Sequence, residues 1–366
     1  MPDNFKIIAV NPGSTSTKFA LYENDAPVFV SNLRHPEEEL APFRGKSILE
    51  QQSFRRDLIV AEMEKHGHNL RELSAVAGRG GLLRPLASGT YRVNEPMLEE
   101  LRRAERGEHA SNLGAFIAKG LAESAGVPAF VVDPVSVDEW PEKARISGCV
   151  KLPRQCLSHA LNTKAVAKRF ASEHRRAYPQ LRLIVAHVGS GISVSAHENG
   201  RMVDVTNSRE EGAFSTERAG TVPAMKLAEL CFSGHYTCKQ VEAMLFRDGG
   251  LYSYLGTKDL VEVERRIVAG DKHATLIYSA MVYQIAKEIG AMAAALRGRV
   301  DAILLTGGMA HSLRLVAELS SHIQWIAPVH VYPGEDELQA LTEGVLRVLR
   351  GEEQTRELES AASTGA

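Results

Sequence analysis

The chain has 366 residues and is nearly neutral, with 43 Lys and Arg against 45 Asp and Glu and a formal charge of −2. That balance excludes the basic bias of a nucleic-acid binder. A hydrophobic share of 44% supports sizeable cores, and at about 100–200 residues per domain the length predicts two domains.

In chain order, residues 6–10 read as a short apolar strand, followed by the loop Asn11-Pro-Gly-Ser-Thr-Ser-Thr-Lys18. A strand at 19–22, a turn at Glu23-Asn24-Asp25 and a strand at 28–30 complete the first group. Helical periodicity then spans 48–65, 111–124 and 158–175, with strands at 75–77 and 129–132 between them. The opening layout returns as a strand at 183–186, the loop His187-Val-Gly-Ser-Gly191, a strand at 192–196, a turn at Glu198-Asn199-Gly200 and a strand at 202–205. Helices follow at 222–232, 259–269 and 273–296. A buried strand at 300–305 reaches Thr306-Gly307-Gly308, which opens a helix to residue 319, and a last helix covers 336–349. Pro153 before a new helix places a domain break near 154–158, so the expected domains are 1–155 and 156–335. The helix at 336–351 rejoins the first domain, and 352–366 is polar, small-residue rich and expected to fray.

Several common readings fail. The stretch 276–296 is apolar, but Gln284, Lys287 and Glu288 interrupt it, so it reads as a buried helix rather than a membrane span. The start, Met1-Pro-Asp-Asn4, shows no basic segment, apolar stretch or cleavage site, and the expectation is a cytoplasmic protein. Cys149 with Cys156, and Cys231 with Cys238, are spaced too widely for ordinary zinc pairs and read as free thiols. Lys18 follows Thr17 and leads into a strand, which excludes a Walker loop, and Gly189-Ser-Gly191 lacks the third glycine of a dinucleotide fingerprint. Each loop alone fits a plain hairpin. Two copies, each rich in N–H groups and hydroxyls between antiparallel strands, favour oxyanion binding. At Thr306-Gly307-Gly308 the nucleotide reading and tight strand–helix packing stand level.

The segments Asn11-Pro-Gly-Ser-Thr-Ser-Thr-Lys18, Gly78-Arg-Gly-Gly-Leu-Leu83, Val132-Asp-Pro-Val135, His159-Ala-Leu-Asn162, Phe214-Ser-Thr-Glu-Arg-Ala-Gly220, Tyr254-Leu-Gly-Thr257, Leu305-Thr-Gly-Gly308 and Tyr332-Pro-Gly-Glu-Asp-Glu337 occur in that order. Through them the chain resembles the acetate and butyrate kinases of the acetate kinase/sugar kinase/heat-shock-70/actin superfamily, most closely the butyrate kinase branch. The resemblance implies an α/β fold of two ribonuclease H-like (actin-like ATPase) domains with a ligand cleft between them. It implies Mg²⁺ and ATP/ADP as cofactors, butyrate as substrate, no nucleic acid or membrane partner, and a homo-oligomer, a dimer first. The alternatives are the same reaction on acetate, propionate or a branched acid, and a non-catalytic nucleotide-dependent binding module.

By the same resemblance, Arg79 and Arg218 hold the carboxylate and phosphoryl oxygens, His159 donates to the transferring group, and Asp133 serves Mg²⁺ or its water, with Asp138 as competitor. Asn11, Ser14, Ser16 and Lys18 orient Mg²⁺-phosphate; His187, Gly189, Ser190, Gly191, Thr306, Gly307 and Gly308 hold the nucleotide. The metal set is Asn11, Asp133 and Asp336, with Glu337 adjacent to the last. His109 and His187 match family histidines but would serve equally as packed polar residues. Small neighbours leave Arg79 free to reach an anion, and Ser158 is expected to cap the helix behind His159. Ser190 departs from the glycine usual in butyrate kinases and the asparagine of acetate kinases, and Thr206-Asn-Ser-Arg-Glu-Glu-Gly212 also departs from the usual butyrate kinase wording. An ionised carboxylate needs no general base to attack a phosphoryl group. It needs its charge repulsion neutralised, which is the work of arginine and metal.

Overall fold

The computed structural model describes residues 4–360. The chain divides into two compact units, Met1–Val137 with Asp336–Ala366, and Asp138–Glu335.

In the first unit, β1 (Lys6–Pro12), β2 (Ser16–Glu23) and β3 (Ala26–Arg34) form an antiparallel meander. β4 (Ala75–Arg79) and β6 (Ala129–Val132) continue it parallel to β1, and β5 (Thr90–Arg92) adds an antiparallel edge. The sheet order is β3-β2-β1-β4-β6-β5. Four helices lie within this stretch: α1 (Glu37–Leu40), α2 (Gln52–Lys65), α3 (Glu95–Arg103) and α4 (Leu113–Ala125).

Helix α4 lies close against β4 because both surfaces are glycine. A Cβ on Gly78 would come within 2.1 Å of the Gly114 carbonyl oxygen, and one on Gly114 equally close to the Arg79 carbonyl oxygen. Successive strand residues face opposite sides. With Gly78 turned to α4, Arg79 is turned to the other face.

The second unit repeats the plan. β7 (Leu183–Val188), β8 (Ile192–Glu198) and β9 (Arg201–Val205) form the meander, with β10 (Ala302–Gly307) and β11 (Val329–Pro333) parallel to β7. The order is β11-β10-β7-β8-β9. Its helices are α5 (Glu142–Arg145), α6 (Ala160–Glu173), α7 (Ala224–Cys231), α8 (Cys238–Phe246), α9 (Gly250–Leu255), α10 (Leu260–Val268), α11 (Lys272–Ala295) and α12 (Leu313–Ile323). β7 and β10 are buried on both faces. Leu183, Val185, Ala302 and Leu304 pack with Val166, Ala167 and Phe170 of α6. Ile184, Ala186, Val188, Ile303 and Leu305 pack with α11 and α12 through residues such as Met281, Ile285, Leu315 and Leu319.

The chain then returns to the first unit as α13 (Glu337–Leu349), which packs on β1, β4 and β6. Gly344 admits the Val132 side chain, which a Cβ would approach to 2.4 Å.

Two sequence expectations need correction. The break falls at 137/138 rather than near 155, because 138–155 is tied into the second unit. Glu139 accepts from buried Lys164 and from the Met202 N–H at 2.7 Å, and Arg154 pairs with Asp204 and Glu211 at 3.0 and 2.9 Å. Residues 352–360 are also not a frayed tail. Arg356 exchanges backbone hydrogen bonds with Thr90 and Arg92, Glu353 accepts from the Thr90 N–H, and Leu358 is buried. Residues 361–366 lie outside the described residues.

Smaller differences occur at element edges. Strand β10 begins at Ala302 and carries Thr306 and Gly307 within it. A 3-10 turn, Gly308–His311, precedes α12, whose N-cap is Ser312. Strands β5 and β11 and helices α1, α3, α5, α8 and α9 went unread in the sequence.

Candidate active site

In both units the singled-out residues gather at the carboxyl ends of parallel strands, where open α/β sheets commonly place their ligands. In the first unit these are Asn11 on β1, Arg79 ending β4 and Asp133 just beyond β6. Because Arg79 faces the α13 side, its guanidinium meets Glu337 in the first turn of that helix, at 2.8 Å, and also donates to the Asn11 amide oxygen at 3.2 Å. Asn11 donates in turn to Glu337. The expected free arginine is therefore ion-paired.

The carboxylate that reaches Asn11 is Glu337, whereas Asp336 occupies the helix N-cap position without a capping bond. Asp336 acts instead on Tyr22. Burial first, then the Asp336 and Glu343 charges, push the Tyr22 phenol up to about 12.

Asp133 is buried with a left-handed φ of 38°, and its carboxylate accepts from Ser88 Oγ at 2.6 Å and the Gly89 N–H at 2.8 Å. Asp138, the competing carboxylate, is paired with Arg145 in the other unit. His109 accepts from the Ser111 N–H and caps the 3-10 turn Ala110–Asn112. Ser14 and Lys18 are exposed, and Ser16 is half-buried, its carbonyl accepting from Arg55 at 3.0 Å. Arg55 on α2 is fully buried beneath this loop and was not singled out from sequence. Its place in a helical pattern without nearby glycine offered no signal.

In the second unit, the alternation that turns Leu183 and Val185 toward α6 turns His187 the same way. His187 Nδ1 lies 2.9 Å from Asn162 Oδ1, Nε2 lies 3.2 Å from Glu335, and the ring stacks on His159 with centroids 3.8 Å apart. His159 Nδ1 contacts Ser193 Oγ at 2.9 Å. His159 stands at the N-cap position of α6 with no capping bond from its side chain, and Ser158 turns instead to Met202 Sδ. The structure thus joins His159 and His187 and adds Asn162, Ser193 and Glu335, of which sequence reading had covered Asn162 and Glu335 only as members of motifs and had not singled out Ser193.

Thr306 is in register with His187 across β10 and β7. Gly307 is required by packing, since its φ is 92° and a Cβ would sit 2.3 Å from the Val188 carbonyl oxygen. At exposed Gly308 nothing lies within 4 Å of a Cβ position, so packing does not explain that glycine.

The second glycine loop is coupled to Arg218. A Cβ on Gly191 would lie 2.4 Å from Arg218 Nη1, so the guanidinium occupies space that only glycine leaves. Ser215 Oγ donates to the Ser190 carbonyl at 2.5 Å and accepts from the Arg218 N–H at 3.1 Å, tying the two loops together. The Arg218 guanidinium donates to Ser208 Oγ at 2.9 Å and sits over the Phe246 ring at 4.5 Å. Its Nε is buried without a partner, and burial pulls its pKa below the usual arginine value. Among the described residues it makes no ion pair with a carboxylate. An arginine so placed is suited to an external anion.

The fold is that of two actin-like ATPase domains, each a five-strand β-meander-plus-parallel core with its own additions. Residues 153–329 match the Acetokinase family. Among solved structures, the chain is similar to acetate kinase from Porphyromonas gingivalis, with 19% identity and a TM-score of 0.76 over 93% of this chain and 99% of that one. It is similar also to a propionate kinase from Francisella tularensis subsp. tularensis SCHU S4, at 17% identity and a TM-score of 0.74 over 93% and 98%. Acetate kinase from Entamoeba histolytica gives 14% and 0.75, again over 93% and 98%. The family match falls wholly within the second unit and includes His159, His187, Arg218 and Thr306.

Proposed function

We propose that this protein is an ATP:carboxylate phosphotransferase that moves the γ-phosphoryl group of ATP reversibly to a short-chain carboxylate, giving an acyl phosphate and ADP. The observation that carries the reading is Arg218. It is a half-buried cation whose buried Nε has no partner and which, among the described residues, pairs with no carboxylate, packed against the glycine loop 189–191 inside the segment that matches the Acetokinase family. Transfer between two anions needs such charge and no base.

In this reading Gly189, Ser190, Gly191, Thr306, Gly307 and Gly308 hold the nucleotide, and the open Cβ position of Gly308 suits a close approach. Arg218 neutralises phosphoryl oxygens, while His159, oriented through Ser193 and stacked on His187, donates to the group in transfer. Arg79 holds the carboxylate. Asn11 and Glu337 supply the hard oxygen donors that fit Mg²⁺, which takes one or two protein ligands and completes its shell with water and phosphate. Mg²⁺ when bound would offset phosphate charge.

We assign butyrate as the preferred acid on the butyrate kinase-like wording of the sequence motifs and place its alkyl chain near Leu82. Burying two further methylenes contributes roughly 1.5 kcal/mol, about a tenfold preference over acetate. The neighbours' names favour acetate or propionate as the second reading. A hydroxamate assay for acyl phosphate with Mg²⁺-ATP across straight acids of two to six carbons tests both. The expected result is a maximum at butyrate that Leu82→Phe moves toward acetate. An acetate maximum would leave the reaction and reject the substrate, and no acyl phosphate from any acid would reject the reaction.

A further inference from the structure

The first loop rests on a buried cation that the proposed chemistry does not use. Arg55 is fully buried on α2, and among the described residues it makes no ion pair. Its donors all go to neutral oxygens. Nη1 reaches the carbonyls of Gly13 at 2.7 Å and Ser16 at 3.0 Å and Thr17 Oγ1 at 3.1 Å. Nη2 reaches the Ser14 carbonyl at 3.0 Å, and both Nη2 and Nε reach Gln51 Oε1.

In a planar trans peptide the N–H of each residue points opposite to the preceding carbonyl. Drawing the Gly13 and Ser14 carbonyls inward therefore turns the N–H groups of Ser14 and Thr15 outward. Both residues are exposed, and neither N–H makes an intramolecular hydrogen bond among the described residues. Two adjacent outward N–H groups above an uncompensated positive charge make an anion-binding nest.

We propose that Arg55 is a positioning residue for phosphate. Its fork shapes the loop 13–16 so that the Ser14 and Thr15 amides bind a phosphate group, without touching that group itself. Lysine would keep the charge but not the planar fork that gathers three carbonyls. The inference rests on the ATP-binding reading of the proposed function together with the oxyanion-loop reading of residues 11–18 from the sequence, and its test separates the two.

Inorganic phosphate is titrated into protein carrying ¹⁵N on Ser, Thr and Gly, and amide resonances of both loops are followed. In the wild type, Ser14 and Thr15 shift together on binding. In Arg55→Gln their phosphate Kd rises at least about tenfold, while Gly189 and Gly191 titrate as before. Arg55→Lys, which retains the cation and guards against a misfolded Gln variant, gives the same selective loss. Wild-type affinity at Ser14 and Thr15 in either folded variant overturns the role of Arg55, as does a wild-type response confined to the 189–191 loop. Silence at both loops, with no acyl phosphate formed, overturns the phosphate-loop reading beneath it.

Discussion

At the scale of single residues, the Asn11–Arg79–Glu337 triangle shows how a cation can be held ready without being free. The pair is only partly exposed, at 23% and 13% for the two side chains, so its geometry is held while an incoming anion can still compete for the guanidinium. Arg79→Ala is expected to lower turnover on the order of 10²-fold or more, with a smaller change in nucleotide KM. Glu337→Gln should raise the Mg²⁺ concentration for half-maximal rate. Steady-state kinetics with varied Mg²⁺ checks both, and an unchanged rate for Arg79→Ala would remove it from the mechanism. Beneath the loop 13–16, His35 Nε2 lies 2.8 Å from Thr17 Oγ1, whose oxygen also accepts from Arg55. Burial, and after it the Arg55 charge, hold His35 down at about 4 against an ordinary 6.5. Between those pH values the unfolded chain binds a proton that the folded chain refuses. Stability present above pH 6.5 is thus lost as pH falls through about 4, by up to about 3 kcal/mol. In His35→Gln, urea midpoints measured from pH 7 to pH 4 should fall less steeply than in the wild type; equal slopes would show that His35 does not carry this loss.

At the scale of elements, glycine serves two opposite purposes. Gly78 and Gly114 let β4 and α4 touch, and that contact settles which way Arg79 faces. Gly78→Ala forces the helix off the strand and should cost about 3 kcal/mol. Gly290, inside α11, has nothing within 4 Å of its Cβ position. There alanine should stabilise by about 1 kcal/mol through helix propensity alone. Chemical denaturation of the two variants distinguishes a packing glycine from an idle one, and loss of stability at both positions would contradict the account. The segment 352–360 makes a related point. Its composition is that of a loose end, yet backbone pairing with Thr90 and Arg92 and the burial of Leu358 hold it in place.

At the scale of the whole molecule, the second unit is continuous in sequence and the first is not. Helix α13 brings Leu338, Leu341, Val345 and Leu346, all nearly fully buried, to a sheet whose strands were complete some two hundred residues earlier. Residues 138–335 expressed alone should unfold cooperatively in urea. Residues 1–137 alone should not, because the sheet face under α13 would be open to water, and joining 336–366 by a short linker should restore a cooperative transition. Cooperative unfolding of 1–137 by itself would refute this. The paired meanders, the two glycine loops and most helices could be read directly, since period-two and period-3.6 patterns and Gly or Pro punctuation are local properties of the chain. Motif resemblance singled out Arg79, His159 and Arg218 for anion chemistry, and that assignment enters the proposed function. What no local pattern contains is partnership across distance. Glu337 meets both Asn11 and Arg79 because α13 packs on β1 and β4. Arg55 grips a loop about forty residues away because α2 packs beneath it, and segment 138–155 joins the second unit through Glu139–Lys164 and Arg154. Those choices depend on side-chain direction and burial after the sheets assemble, so only the tertiary structure decides them.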